Sequence, residues 1–588
     1  MEMVNVKINN IPLNVEKGTK ILEAAKKINI DIPHLCYHPD QSIKAHCRIC
    51  TVEVVGSRKL LAACSTEVWE GMEIHTDTKL VRDTQVGILE LILATHEQNC
   101  LTCSRNQNCD LQKLCSRFNV LNSNLPDVTE HLPIHNTNPS IIRDPAKCVK
   151  CGRCIKACKE VQGISALTYA GRSDKITVTT AYNKPMEETD CILCGQCSVV
   201  CPTGAIVEKD DTQKVLDVLQ NPKKHVIVQV APSVRVALGD AFGLPKGTIV
   251  TGQMVTALKM LGFDRVFDTS FGADLTIMEE GSELLSRIKN NGTLPMITSC
   301  SSGWVNYMEK NYGDYLGHLS STKSPQQIFG AVSKTYYPEQ SGIDVNDIVT
   351  VSIMPCTAKK FEAARPEHGR DGHQDVDIVL TTRELTKLIK YVGLNFESLP
   401  EGQFDSPLGS GTGAAIIFGN TGGVMEAALR TVYEKYTGKE LTSVEFQEVR
   451  GIEGIREAII DLGNTKIKVA IAHTIASAKI IMEKIKAGTC DYTFIEIMAC
   501  PGGCIGGGGQ PIKSTTDVKH LRMDALYDID KKNPLRKSHE NPDIIHIYKD
   551  FLGEPLSEKS HTLLHTEYHT VKKAHDFSYL KAEENSSI

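Results

Sequence analysis

The spacing of apolar positions predicts a small mixed α/β unit at the start of the chain. Apolar and polar residues alternate through Val4, Val6, Ile8, Ile11 and Leu13. This period of two predicts a β-hairpin that turns at Asn9-Asn10. The run 21–27 has helical composition, and Val52, Val54 and Val55 indicate a further strand. A second helix is predicted over 86–93.

From about residue 210 onward, buried-strand patterns alternate with helical ones. Strands are predicted at 226–230 and 348–353, and helices at 254–261 and 385–392. This alternation is typical of α/β layers built on parallel strands. Reactive groups in such layers lie in loops beyond the carboxyl ends of strands.

Composition narrows the class of protein. The chain has 588 residues, 41% of them hydrophobic and 23% charged, so we expect three or more globular domains. The net charge is −6 and no basic block stands out, so no nucleic-acid partner is expected. No apolar run approaches the ~18 residues of a membrane span, and no charged leader precedes an apolar one. We therefore expect a cytoplasmic protein without a membrane span.

The 21 cysteines carry most of the chemical information. They form dense groups at 36–64, 100–115, 148–158 and 191–201, and only five follow. In a long chain without a secretory signal, this distribution favours metal sites over disulfides.

The first two groups predict one site each. Cys36, Cys47, Cys50 and Cys64, within residues 1–80, suit a plant-type [2Fe–2S] cluster in a β-grasp fold, with zinc as the alternative. His96, Cys100, Cys103 and Cys109, within 81–125, suit a [4Fe–4S] cluster in a small helical domain, or zinc. These modules resemble the N-terminal part of the large iron–sulfur subunit of respiratory NADH dehydrogenases. Cys115 is interpreted as structural.

Two copies of C-x2-C-x2-C-x3-C follow within residues 126–209, which we expect to form a bacterial-ferredoxin-like 2[4Fe–4S] domain. The fourth cysteine of each such run ligates the other cluster. One predicted ligand set is Cys148, Cys151, Cys154 and Cys201. The other is Cys191, Cys194, Cys197 and Cys158. The four accessory clusters together predict an electron wire in series.

The later cysteines follow predicted strands. Cys300, Cys356 and Cys500 each come directly after an apolar run, and Cys500 and Cys504 stand among glycines that allow close backbone approach to a bulky ligand. The glycine run 409–413 is a weak nucleotide signal, because no Walker lysine follows it.

Three signatures in this half resemble those of the [FeFe]-hydrogenases of the large type with accessory clusters. They read Thr298-Ser-Cys-Ser-Ser-Gly-Trp304, Met354-Pro-Cys-Thr-Ala-Lys-Lys-Phe-Glu362, and Glu496-Ile-Met-Ala-Cys-Pro-Gly-Gly-Cys through Gln510-Pro511. The resemblance spans essentially the whole chain. It implies that residues 210–588 form a large α/β catalytic domain whose two lobes surround an H-cluster.

The resemblance also implies a cofactor and its ligands. The H-cluster is a [4Fe–4S] cube joined through one cysteine to a diiron unit that carries CO, cyanide and an azadithiolate. By position in the signatures, Cys356 and Cys500 would hold the cube, and Cys504 would also bridge to the diiron unit. Lys359 would donate a hydrogen bond to a cyanide. The residues expected to line the pocket are Pro232, Ser233, Gln326, Met354 and Met498.

A proton route is implied in the same way. It would run through Cys300, Glu280, Ser320 and Glu283, with Arg287 near its mouth. Glu280 and Glu283 are one helical turn apart, so both can face one side. Without the family context, two solvated carboxylates would be the simpler interpretation.

One position departs from the family pattern. The first signature normally reads Thr-Ser-Cys-Cys-Pro-x-Trp, so Cys300 occupies the proton-carrier position and Ser301 the position of a cube ligand. A serine alkoxide is a harder and more basic donor than a thiolate. Three outcomes stay open: Ser301 ligates, Cys300 replaces it, or one iron of the cube is open or water-bound.

The sequence therefore predicts a ferredoxin hydrogenase that interconverts protons and H2. Its expected partners are ferredoxin or flavodoxin and the maturation proteins that deliver the diiron unit. Ser301 motivates an alternative, a hydrogen-sensing or low-turnover protein. A weaker alternative, motivated by the N-terminal modules, is a subunit of an NADH-linked complex.

Overall fold

The N-terminal module is a five-stranded sheet with one short helix. The computed structural model describes residues 2–441, 443–462 and 465–571. The elements of the module are β1 Met3–Ile8, β2 Ile11–Glu16, α1 Ile21–Lys26, β3 Thr51–Val54, β4 Leu61–Ala62 and β5 Met72–His75, with strand order β2-β1-β5-β3-β4. The predicted hairpin is confirmed, and its turn places Asn9 and Asn10 at φ 48° and 66°. Asparagine tolerates this left-handed conformation better than most residues.

Two small cysteine-bearing modules follow. The first contains α2 Lys79–Leu93, whose N-terminus is capped by the Thr78 hydroxyl, and α3 Asp110–Phe118. The second contains β6 Ile141–Arg143, α4 Arg153–Lys156, β7 Thr168–Ala170, β8 Thr177–Thr179, α5 Gln196–Val200 and β9 Ile206–Glu208. Strand β6 pairs with β9 and β7 with β8, both antiparallel.

Two four-stranded sheets organise the rest of the chain. Its strands are β10 His225–Val230, β11 Arg265–Asp268, β12 Met296–Ile297, β13 Ile348–Met354, β14 Gly369–Arg370, β15 His373–Gln374, β16 Ile378–Thr381, β17 Ile455–Asp461, β18 Lys466–His473 and β19 Phe494–Met498. One sheet has the order β11-β10-β13-β16 and is parallel throughout. The other has the order β12-β19-β18-β17, with β17 antiparallel to its neighbour.

Helices cover both sheets. They are α6 Thr212–Leu219, α7 Thr251–Leu261, α8 Thr269–Lys289, α9 Ser302–Asn311, α10 Pro325–Ser341, α11 Ala358–Ala363, α12 Thr382–Tyr391, α13 Gly413–Ile416, α14 Gly423–Thr437, α15 Ile475–Lys486, α16 Thr516–Lys532, α17 Pro542–Ile547 and α18 Glu558–Leu564. The helices predicted at 254–261 and 385–392 are confirmed, and each starts three residues earlier. The second starts early because Thr381 and Glu384 form a capping box.

Polar contacts join the small modules to each other and to the large one. Asp40 pairs with Lys519 at 3.2 Å across 479 positions of sequence, and the Gln41 amide donates to the carbonyl of Arg153. The Gln196 amide donates to the Gly506 carbonyl at 2.8 Å. Within the three described ranges, no helix combines the length and apolar character that crossing a membrane requires.

Candidate functional site

A cavity with about 840 Å³ of empty space lies between the two large sheets. Loops that follow the carboxyl ends of parallel strands supply its walls, as strand topology predicts. Pro232 and Ser233 follow β10, Cys300 and Ser301 follow β12, Cys356 and Lys359 follow β13, and Cys500 and Cys504 follow β19. Gln326, Met354 and Met498 also line it, so every residue expected at the pocket lies there.

The thiols of this cavity differ in pKa: the hydrogen bond with Cys500 lowers the pKa of Cys356 to about 7, whereas those of Cys300, Cys500 and Cys504 are raised. The Cys356 and Cys500 thiols are in hydrogen-bonding contact. Burial raises the pKa of Cys504 to about 12, and it raises the pKa of Cys300 well above its usual value, with a smaller contribution from Glu280. A protonated thiol must lose its proton to bind metal, so iron binding here releases protons.

Glycines bring the backbone close together beneath Cys504. Gly503 has φ 92°, and a Cβ atom there would lie 2.6 Å from the Thr421 backbone nitrogen. A Cβ atom at Gly507 would lie 2.2 Å from the carbonyl oxygen of Pro355. The glycines of the third signature are therefore required for the loop to pack against the Cys356 loop.

Ser301 faces the cavity at the position where the family pattern has a cysteine. Its side-chain oxygen accepts a hydrogen bond from the Ala499 backbone amide at 3.0 Å. The hydroxyl therefore lies directly beside the Cys500 loop. The thiols of Cys356, Cys500 and Cys504 suit three of the four ligand positions of an iron–sulfur cube, and the Ser301 hydroxyl stands where the family pattern has the fourth.

Glu362, which sequence reasoning did not single out, orients Lys359. The Lys359 ammonium donates to both Glu362 oxygens at 2.9 Å and to the Cys300 carbonyl at 3.1 Å. Glu362 also accepts hydrogen bonds from Ser302, Ser324 and Gln326. This buried carboxylate fixes a cation at the cavity wall, and its position at the end of the second signature was the available signal.

Two further residues of the third signature were also missed. Glu496 is fully buried and accepts hydrogen bonds from the amides of Gly422 and Met425 at the start of α14. Burial nevertheless raises its pKa to about 6. Gln510 donates to the Ser233 carbonyl at 3.1 Å, which joins the loops after β10 and β19.

A chain of polar groups leads from Cys300 toward the surface. Glu280 lies next to Cys300, and Glu283 follows one turn later on α8. The Ser320 hydroxyl donates to Glu283 at 2.7 Å. Arg287, whose side chain is 16% exposed, pairs with Glu283 at 2.6 Å and donates to the carbonyls of Gly317 and Leu319. The structure thus brings all five expected relay residues together.

Glu280 is the unsatisfied member of this chain. It is 1% exposed, and neither carboxylate oxygen has a well-aligned hydrogen-bond partner among the described residues. Burial raises its pKa to about 8, with a further contribution from the charge of Glu283, while Ser320 and the Ser299 amide nearby offset part of the effect. A carboxyl group with a pKa near neutrality can both give and take a proton.

The outer cysteine groups also assemble. The Cys36 thiol is in hydrogen-bonding contact with Cys47 and Cys64, and Cys50 contacts Cys64. His96 is buried, its Nδ1 atom has no partner in the described ranges, and burial lowers its pKa to about 4. A neutral imidazole with a free ring nitrogen is a suitable metal ligand.

The remaining ligands of the second site lie on the loop before α3. Cys103 lies close enough to Cys109 to raise its pKa, a smaller effect than that of burial. Cys115, which the sequence analysis interprets as a structural residue and not a ligand, lies near Cys100 and Cys109. Lys147 neighbours both His96 and Cys103.

The two ferredoxin-like runs are interleaved in space. A cavity of about 400 Å³ is lined by Cys148, Cys151, Cys154 and Cys201, and Cys158 is absent from its lining. Cys158 instead contributes to the raised pKa values of Cys191, Cys194 and Cys197, in which burial is the largest cause. The fourth cysteine of each run thus lies with the first three of the other.

The cysteine sites are arranged as a branch rather than a single series. Cys36 lies near Cys151, and Cys103 lies against Gly204 and Lys147 beside the same ferredoxin-like site. Cys194, on the other ferredoxin-like site, lines the large cavity near Cys356. Two outer sites therefore converge on one, and the series arrangement predicted from chain order is replaced by a fork.

Five family models match consecutive parts of the chain. They are a 2Fe-2S iron-sulfur cluster binding domain over residues 1–79, an NADH-ubiquinone oxidoreductase-G iron-sulfur binding region over 85–124, a 4Fe-4S dicluster domain over 147–205, the iron only hydrogenase large subunit, C-terminal domain, over 224–508, and the iron hydrogenase small subunit over 516–571. Their order follows the modules of the fold.

Characterised relatives cover almost the whole chain. An NADP-reducing hydrogenase subunit, HndD, from Solidesulfovibrio fructosivorans is 47% identical over 97% of this chain and 99% of its own length. Iron hydrogenase 1 from Clostridium pasteurianum is 42% identical over 96% of this chain and 100% of its own. A structure of a variant of the [FeFe]-hydrogenase HydA1 from Chlamydomonas reinhardtii has 44% identity and a TM-score of 0.56 over 62% of this chain and 99% of its own. This chain therefore belongs to the [FeFe]-hydrogenase family.

Proposed function

We propose that this hydrogenase interconverts protons and H2 at an H-cluster in the large cavity, and that it exchanges electrons with ferredoxin or flavodoxin through four accessory iron–sulfur clusters. One observation carries the proposal. A series of polar groups connects the cavity that holds Cys356, Cys500 and Cys504 to Arg287. The same cavity borders Cys194 of the neighbouring ferredoxin-like site. Protons and electrons thus reach one buried site by separate routes.

The chain offers three thiolates to the [4Fe–4S] cube, those of Cys356, Cys500 and Cys504, and the last would bridge to the diiron unit. When bound, the H-cluster supplies the iron centre where two electrons and two protons combine. Lys359, held by Glu362, would place a positive charge and N–H donors at the cyanide of the diiron unit. Met354 and Met498 would fill the space around it with polarisable side chains.

Proton transfer is assigned to the polar chain. Glu283, whose carboxylate is held by the Arg287 guanidinium, takes up protons at the outer end, and Ser320 passes them between the two carboxyl groups. Glu280, whose pKa of about 8 keeps it mostly protonated at neutral pH, holds a proton next to the Cys300 sulfur. The Cys300 thiol, which burial keeps protonated, delivers it into the cavity.

Electrons are assigned to the forked set of accessory sites. The [2Fe–2S] site at Cys36 and the [4Fe–4S] site at His96 would both feed the cluster bound by Cys148 and its partners. The cluster that includes Cys194 would then pass electrons to the cube. Electrons would therefore enter at either of the two outer sites and reach the cube through one cluster.

Ser301 supports an alternative in which the chain senses hydrogen or turns over slowly. Its oxygen accepts a hydrogen bond from the Ala499 amide at the cavity wall, so the cube would meet a hydroxyl where the family pattern has a cysteine. The relative named as an NADP-reducing hydrogenase subunit supports a further candidate, a subunit of a complex linked to NAD(P)H. That candidate requires a flavoprotein partner, because no nucleotide motif was found in the sequence.

One experiment separates these functions. The chain with reconstituted accessory clusters is loaded with the synthetic diiron cofactor, and H2 evolution from reduced methyl viologen is measured beside Ser301→Cys. Turnover by the unmodified chain supports the enzyme. An inert chain whose activity appears only with Ser301→Cys supports the sensing alternative, and the absence of infrared bands from bound CO and cyanide after loading contradicts the H-cluster assignment.

A further inference from the structure

Four aromatic side chains follow one another through α9 and the segment after it. The ring centroids of Trp304 and Tyr307 are 6.3 Å apart, those of Tyr307 and Tyr312 are 5.8 Å apart, and those of Tyr312 and Tyr315 are 6.5 Å apart. Trp304 is fully buried, Tyr312 is 9% exposed and Tyr315 is half-buried. These four rings, the aromatic chain, therefore lead from the interior to the surface.

The inner end of the aromatic chain lies beside two of the proposed iron sites. Gly303 lines the large cavity, and Trp304 follows it directly. A Cβ atom at Gly303 would lie 3.4 Å from the Ile192 side chain. The Lys310 ammonium, on the same helix, donates to the carbonyl of Cys191 at 2.9 Å. Helix α9 therefore borders both the cavity and the ferredoxin-like site of Cys191.

The Trp304 indole carries a polar atom that packing does not explain. Its Nε1 atom is buried and has no hydrogen-bond partner among the described residues. Buried indole N–H groups usually find an acceptor, and an unpaired one can mark a redox role. An indole without an acceptor keeps its proton when it loses an electron. Trp304 can therefore pass an electron vacancy to a neighbouring ring without any proton transfer of its own.

The tyrosines, in contrast, have a route for their protons. The hydroxyls of Tyr307 and Tyr312 are in hydrogen-bonding contact, and Tyr312 donates to Glu483, whose side chain is 62% exposed, at 3.3 Å. Lys479 and Lys486 each place an ammonium over one of the two rings, at 5.5 and 5.8 Å. A cation beside a ring disfavours positive charge on that ring, so oxidation of these phenols must release a proton. The hydroxyl series delivers that proton to the Glu483 carboxylate at the surface.

We propose that the aromatic chain carries oxidising equivalents from the iron sites to the surface, and that it thereby protects the clusters from peroxide. The proposal rests on the proposed function for the presence of iron at these sites. It assigns the four rings a one-electron route that is separate from the accessory clusters, and it assigns Glu483 the role of proton acceptor for that route.

The electrons and protons balance in each step. Hydrogen peroxide takes one electron from iron and splits into hydroxide and a hydroxyl radical, and the iron regains its electron from the accessory clusters. The radical takes one electron from Trp304 and becomes a second hydroxide. Each ring then takes one electron from the next, and Glu483 holds the Tyr312 proton until Tyr312 is reduced again. Tyr315 gives its electron to Tyr312 and its phenol proton to water, and a low-molecular-mass thiol restores both and leaves as a thiyl radical.

The test does not require the diiron unit. The full chain with reconstituted accessory clusters is treated with hydrogen peroxide in the presence of a nitroso spin trap, and the adducts are located by peptide mass spectrometry. The native chain should carry the adduct at Tyr315. Tyr312→Phe keeps the ring and removes the phenol, so the Tyr315 adduct should disappear and more iron should be released from the clusters.

Two further variants separate this route from packing. Glu483→Gln keeps every ring and removes the proton acceptor at an exposed position, so it should also diminish the Tyr315 adduct. Tyr336→Phe alters a buried tyrosine of α10 outside the aromatic chain and is the matched control. It should keep the native adduct and the native iron content.

Two results would overturn the proposal. The first is a Tyr312→Phe chain that keeps both the Tyr315 adduct and the native iron content. The second is an adduct concentrated on Tyr182 and Tyr391, which are 91% and 75% exposed, because radicals would then reach the protein from solution. The hydrogenase proposal is judged separately, by methyl viologen turnover of the loaded chain before peroxide is added, which Tyr312→Phe should leave unchanged.

Discussion

The hydroxyl oxygen of Ser301 accepts a hydrogen bond from the backbone amide of Ala499 at 3.0 Å. This bond joins the loop after β12 to the loop that carries Cys500. A thiolate at position 301 would occupy the same wall of the cavity. If the proposed cube binds here, the wall at position 301 offers it a hydroxyl in place of a thiolate.

We expect Ser301→Cys to change the cube itself. A fourth thiolate should raise the iron retained after mild chelation and shift the midpoint potential of the cube, because thiolate is a softer ligand than a hydroxyl. Iron content and a redox titration followed by electron paramagnetic resonance would measure both. Ser333→Cys, at a buried serine of α10 that does not line the cavity, is the control. Equal iron retention and potential in native chain and Ser301→Cys would show that position 301 does not ligate.

Glu280→Gln should slow turnover of the loaded enzyme by about 10²-fold or more, because it removes an ionisable group from the proton route. The iron content and infrared bands should be unchanged. Glu279→Gln is the matched control on the preceding residue. Glu279 accepts hydrogen bonds from Tyr548, Ser560 and His565. Glu279→Gln should therefore lower the free energy of unfolding and leave proton transfer unchanged. Near-native turnover in Glu280→Gln would remove this residue from the relay.

Glu280 should also make stability depend on pH. Its pKa is about 8 in the folded chain, compared with 4.5 for an ordinary glutamate. Between these values the folded state holds a proton that the unfolded state has lost, so the free energy of unfolding falls as pH rises. The free energy of unfolding, measured by denaturation at pH 5 and at pH 8, should fall less between these pH values for Glu280→Gln than for the native chain. A residual slope is expected from Glu496, whose pKa is raised to about 6.

The interleaved cysteines predict which substitutions share a phenotype. Cys201→Ala should abolish the same paramagnetic signal as Cys148→Ala, because both cysteines line one cavity. Cys158→Ala should instead match Cys191→Ala. Cys115→Ala, near the His96 site, is the control and should keep all four accessory signals. If Cys158→Ala matches Cys148→Ala, each run binds its own cluster.

Glu362→Gln should weaken retention of the diiron unit. The change removes the charge that holds the Lys359 ammonium at 2.9 Å, so the lysine loses its fixed direction. We expect a lower intensity of the CO and cyanide infrared bands at equal cube content. Glu367→Gln, which alters a partly exposed carboxylate of the adjoining turn, is the control. Unchanged bands in Glu362→Gln would contradict a positioning role.

Much of this architecture could be predicted from local pattern. The hairpin at Asn9-Asn10 and the parallel strands follow from apolar periodicity, and Cys300, Cys356 and Cys500 follow strands whose ends meet. The role of Glu362 could not be predicted in this way, because its partners Ser302, Ser324 and Gln326 lie 36 to 60 positions away. The fork of the accessory sites was also missed, since chain order carries no information on which module packs against which.

The contact between Asp40 and Lys519 has a consequence for biosynthesis. The partners are separated by 479 positions, and chains grow at ~5–20 residues per second, so Lys519 is made roughly half a minute to a minute and a half after Asp40. During that interval the N-terminal module exists on the ribosome without its final neighbour. Any iron–sulfur donor that acts on Cys36 and its partners can therefore reach the surface later covered by α16.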